Sequence, residues 1–174
     1  MRFLSAFRLL LLGIWLGAAV FFVATAETAF QTIPTHELAG TLVGRMFAIL
    51  NYSGLGVAFV LLLTSLIVAT GTNIAGLWIE RTVLFILGIG CAIGQFVISW
   101  WMLLLRTQMG KPIDEVAADD PLKIQFDQLH QYSSCVMIAA FAAALIAFII
   151  IALRRATPKK VANDPLDFSK QFKI

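Results

Sequence analysis

Charge is scarce in this chain. Asp, Glu, Lys and Arg make up only 13% of its 174 residues, about half the share of a soluble domain. A water-exposed globule needs charge over its whole surface, so the shortage excludes that class. Cysteine is limited to Cys91 and Cys135, and histidine to His36 and His130. No CxxC or Cys/His spacing results, which argues against a zinc site or a redox pair. Both thiols lie in apolar runs and read as small packing residues. Gly-x-Ser-x-Gly, HExxH, Walker and dinucleotide fingerprints are missing too. No catalytic residue, metal ligand or cofactor is assigned, and the chain reads as something other than an enzyme.

Apolar side chains are what it has in plenty. They account for 60% of the sequence, and mean hydropathy is +0.88. They gather into four runs, residues 9–30, 46–69, 82–105 and 128–153. A helix needs roughly 20 such residues to cross about 30 Å of hydrocarbon. None of the runs shows the strict alternation of a barrel strand. In lipid each must satisfy its own backbone, and a helix does. The expected fold is all-α, an integral membrane four-helix bundle over residues 1–153, with a basic tail at 154–174.

The charges sit between the runs, and their signs indicate direction. Four crossings put both termini on one side, with Arg2, Arg8, Arg81, Arg154, Arg155, Lys159, Lys160, Lys170 and Lys173. The other side receives Arg45, Arg106, Lys111 and Lys123, with Glu37 and the acidic residues from Asp114 to Asp127. The positive-inside rule then places both termini in the cytoplasm. Although the formal charge is +3 and the pI near 9.1, this placement suits lipid headgroups and not nucleic acid. A competing reading makes Arg2 and Arg8 an n-region, with 24–26 as an Ala-x-Ala cleavage site. The apolar run continues to Phe30 and holds the Gly13/Gly17 packing pair, which favours a retained span.

Small residues at four-residue spacing recur in every run: Gly13 and Gly17, Gly54 and Ala58, Gly90 and Gly94, and Ala139, Ala143 and Ala147. Such pairs let membrane helices approach closely. Polar stripes accompany them. Asn51, Gly54, Ala58 and Ser65 form one; Gly88, Cys91, Gln95 and Ser99 a second; His130, Ser133, Met137, Ala140 and Ala144 a third. Glu27 shares a face with Gly13 and Val20. Asp119 and Asp120 before Pro121 read as an N-cap region, so the last helix should start well before the membrane. Its first turns offer a ridge of Leu122, Phe126 and Leu129. Tyr52, Trp78, Trp100 and Trp101 read as interfacial anchors.

Glu27, Arg45 and His130 fall at similar depth near the outer face, with Asp127 one turn before His130. Asn51 and Gln95 lie deeper, and Ser133 continues the stripe. Intramembrane ionisable groups are costly and count as functional candidates. Carboxylate and imidazole suit a cation, and histidine suits a proton relay. The same residues also serve as plain structural glue, and both readings stand. Only His130 lies in an apolar run, His36 falling in a loop, so a bis-histidine haem is disfavoured.

Trp15, Gly17, Phe21, Phe22, Phe30, Ala39-Gly40 and Gly44-Arg45-Met46-Phe47 form one signature. A second runs from Phe126 through His130 to Ser133, an F-x-x-x-H-x-x-S pattern. On these residues the chain resembles the transmembrane protein 205-like family, also catalogued as a bacterial domain of unknown function. It departs from that pattern at Glu27, where members commonly have proline, and at Met137, where an asparagine often stands. The resemblance implies a four-span bundle and a loose association with resistance to toxic metals or drugs, without a mechanism. The leading expectation is a carrier, sensor or scaffold in a bacterial inner membrane. The alternative is an accessory subunit docked on a membrane-protein partner or a second copy; a metal- or haem-linked redox protein comes third.

Overall fold

The computed structural model describes residues 2–68 and 74–156. Its elements are α1 (Arg2–Thr32), α2 (His36–Val68), α3 (Ile74–Ala92), a π-helical turn (Ile93–Ile98), α4 (Ser99–Met109), a 3-10 turn (Ile113–Glu115) and α5 (Pro121–Ala156). The α3, π and α4 segments run on as one rod. Four rods, Phe3–Thr32, His36–Ile67, Gly76–Met109 and Pro121–Arg154, are long and apolar enough to cross a membrane. No strand occurs among the described residues. The chain is an all-α, multi-pass membrane bundle. Residues 157–174, most of the expected tail, lie outside the described residues, and Arg154 belongs to α5.

Each rod outruns its apolar stretch, because a helix satisfies its backbone equally well in the interface and beyond it. The largest change is in α2, which begins ten residues before Met46. His36 therefore opens a helix instead of lying in a loop, and Tyr52 falls midway along α2. There it meets Phe96 edge-on at 6.0 Å, away from any span end. The start of α5 is as expected: the Leu122 backbone N–H donates to Asp120 Oδ1 at 2.8 Å, with Pro121 in the first turn. Gly110, at φ 63°, ends α4 in a left-handed conformation that favours glycine.

Neighbours form a ring: α1 packs on α2, α2 on α3, α3 on α5, and α5 on α1. Both described ends of the chain thus lie at one end of the bundle, here the terminal end; the opposite one is the far end. Leu12, Trp15, Ala19 and Phe22 of α1 meet Leu50, Ala58 and Leu61 of α2. Leu84, Leu87 and Cys91 of α3 and the alanine stripe of α5 complete the core. Phe21, Phe59, Phe85 and Ile138 point outward, each 60% exposed or more, as lipid-facing residues should.

Asn51, Gly54, Ala58 and Ser65 are all buried, so α2 turns its small polar stripe inward as expected. At Gly54 a Cβ would stand 2.6 Å from Cys91 Sγ and 2.9 Å from Trp15 Nε1. That is a real close approach. The α1 stripe is different: Gly13, Gly17 and Val20 are exposed, and Gly17 has nothing within 4 Å of a Cβ. Trp15 occupies the inner face instead, its indole N–H donating to the Leu50 carbonyl at 3.1 Å. A buried indole must find an acceptor, and that demand overrides the glycine pattern. On α5 the same rotation exposes Ala139 and Cys135 and buries Ala140, Ala143 and Ala147.

Candidate functional site

The bundle opens toward its far end. Beyond the π turn α4 packs on α5, and a cavity of about 810 Å³ reaches inward between all four rods. Glu27, Arg45, Gln95, Asp127, His130 and Ser133 line it. Six of the seven candidate seam residues thus share one space. Asn51 does not line it. It lies behind the π turn, where a Cβ on Gly94 would meet its Nδ2 at 3.2 Å.

These side chains form tiers. At 1.5 Å per residue, Glu27 lies about 8 Å below the far end of α1, His130 about 14 Å below that of α5, and Gln95 about 21 Å below that of α4. The rim holds the ionisable groups. Glu27 accepts a hydrogen bond from Gln31 Nε2 at 3.3 Å on its own helix. Among the described residues no ion pair joins Glu27 to Arg45 or Asp127 to His130. All four are exposed, and solvation of exposed charges outweighs so weak a pairing. The walls are apolar and include Phe22, Phe47, Met102 and Met137.

The floor is amide and hydroxyl. In the π turn the Ser99 backbone N–H and its hydroxyl both donate to the Gly94 carbonyl, the hydroxyl at 2.8 Å. Gln95 projects from this turn. Its Oε1 and the Nδ2 of Asn51 are enclosed without a hydrogen-bond partner. Ser133, more than nine-tenths buried, faces the same space. Leaving a buried polar atom unsatisfied costs roughly 1–3 kcal/mol, and π turns often mark functional positions.

A roof partly closes the mouth. Arg106 reaches from α4 to α2, donating to Glu37 Oε1 at 3.3 Å and Thr41 Oγ1 at 3.4 Å. Its guanidinium lies over the Phe126 ring, 5.4 Å from the centroid. Gly40 leaves room for it, since a Cβ there would stand 2.7 Å from Arg106 Nη2. Phe126 is therefore buried, and Leu122 and Leu129 are half-buried; the anticipated ridge packs within the chain. His36 Nδ1 lies 3.6 Å from Asp114 Oδ1 and adds a second link.

Another polar centre sits at the terminal end. Glu80 is fully buried and binds Arg8 through one carboxylate oxygen and Arg154 through the other, the latter at 2.6 Å. Arg8 also donates to the Leu61 carbonyl at 3.3 Å, so one cluster joins all four rods. Arg81 donates to Ser65 Oγ at 2.8 Å beside it. From the sequence these charges read only as span borders. Their signal lay in the core stripes: Arg8 stands four residues before Leu12, Glu80 four before Leu84, and Arg154 three after Ile151.

The arrangement offers a lipophilic space with hydrogen-bonding groups at its base and titratable ones at its rim. Among the described residues no three His, Cys, Asp or Glu side chains come together as a metal site. No curated protein and no solved structure gives a significant match. A family profile does match, over residues 10–111. That stretch holds the first signature, the π turn and all of the cavity lining except Ile113, Asp114 and the α5 wall, and stops short of Phe126–Ser133. With more than half of its length matched, the chain belongs to the family described as Domain of unknown function (DUF4149).

Proposed function

We propose that this bundle, of the transmembrane protein 205-like type, receives a lipid-soluble molecule in its far-end cavity and acts as a small carrier or sensor in a bacterial cytoplasmic membrane. The cavity carries this reading. Its volume of about 810 Å³ lies within the usual range for small-molecule sites, roughly 300–1,000 Å³. Its makeup is also that of such sites, mostly apolar with a few convergent polar groups. A molecule dissolved in the bilayer meets no water barrier on reaching apolar walls at that depth.

Photolabelling tests it. Hexadecanol carrying a diazirine near its hydroxyl is added to the purified protein in lipid nanodiscs and irradiated. Adducts should concentrate on Phe22, Met102 and Met137 and fall with excess unlabelled hexadecanol. Ala48→Trp, which fills the cavity from α2, should cut them at least fivefold. Labelling spread over the lipid-facing Phe59 and Phe85, indifferent to competitor and to Ala48→Trp, rejects the proposal.

A further inference from the structure

We infer that the ligand enters polar end first and is an uncharged lipophile ending in a hydroxyl, held by Gln95 and Ser133 at the cavity floor. This rests on the cavity being a binding site. Three observations specify the ligand. Gln95 and Ser133 line the cavity at its deep end, and the Gln95 Oε1 is enclosed without a protein partner. Asn51, 6% exposed and with a free Nδ2, stands just behind. The deep end thus has hydrogen-bonding capacity the protein leaves unmet, and buried capacity of that kind is normally met.

Charge sets the second constraint. Every ionisable residue lining the cavity lies nearer the mouth than Gln95: Glu27, Arg45, Asp127 and His130 on the rim, and His36, Arg106, Asp114 and Lys123 above them. A carboxylate or ammonium carried to the floor would lose its hydration with no counter-charge beside it. An alcohol loses little, and its O–H donates to the Gln95 Oε1. The third constraint is shape. Phe22, Phe47, Met102 and Met137 surround the passage, which suits an alkyl or isoprenoid chain following the head, and flexible methionines adapt to either.

Competition against the photoprobe decides it. Hexadecanol, hexadecane and hexadecanoate are compared at pH 8 as competitors for the adducts on Met102 and Met137. Hexadecanol should compete about tenfold better than either, the worth of one or two hydrogen bonds. Gln95→Leu should bring the alcohol-to-alkane ratio close to 1 while labelling persists, and Ser133→Ala should reduce it by a few fold. Unchanged elution and melting temperature confirm that each variant is folded. Equal competition by alkane and alcohol, or preference for the carboxylate, overturns the inference and leaves the cavity proposal standing. Absence of cavity labelling overturns both.

Discussion

At Glu80 three helices contend for one carboxylate. The side chain is fully enclosed and its two oxygens go to different arginines. Two guanidinium nitrogens, Arg8 Nε and Arg154 Nη2, remain enclosed without partners. Removing the carboxylate would strand the buried Arg8 and the half-buried Arg154, a loss typically worth about 3–5 kcal/mol. Glu80→Ala should therefore lower unfolding stability in detergent by about that amount. Glu27→Ala, at an exposed rim position, should shift it by less than about 0.5 kcal/mol. Equal effects at the two sites would contradict the cluster. This centre was hard to see in the sequence because charges at span borders usually mark topology. The rim residues were easier: Glu27 and His130 interrupt apolar runs and Arg45 borders one, and charge at such depth is costly enough to draw notice.

At the scale of the helix, contact separates one glycine from another. Gly54 and Gly17 look alike in the sequence, each four residues from a small neighbour. Gly54→Ala would press a methyl into Cys91 and Trp15, and overpacking of that kind costs about 1–3 kcal/mol. Gly17→Ala meets open space and should leave stability unchanged or raise it by up to about 1 kcal/mol. Thermal unfolding of the two variants in one detergent measures the contrast. Rod lengths and the α2 stripe were legible from hydropathy and period. The α1 face was not, since one buried indole needing an acceptor outweighed two glycines. Nor was the π turn, which no residue of 93–98 demands locally. The Ser99 hydroxyl on the Gly94 carbonyl supports it within the rod, and Asn51 of α2 packs close to Gly94, an approach that exists only once the helices meet.

For the molecule as a whole, orientation follows from the surplus of lysine and arginine at the terminal end. That surplus should place the terminal end in the cytoplasm. In a Cys135→Ser background, an impermeant maleimide added to intact cells should label Lys111→Cys and spare Asn163→Cys until the cells are lysed. The reverse pattern would invert the bundle and turn the cavity mouth inward. Fold class could be read from the apolar runs, and the nearness of Gln95, His130 and Ser133 to one space from their stripes. The volume of that space could not, because it depends on how far α4 stands from α2, and the Arg106 bridge sets that distance.

Leu12, Leu61, Leu84 and Leu87 have no exposed surface at all, and the arginine–glutamate knot lies beneath them. Among the described residues these side chains form a stopper at the vessel's terminal end. On the proposed reading, a guest that settles in the vessel leaves by the rim it came through, and the bundle would store or report that guest. Onward passage would demand that the stopper rise and the knot loosen together.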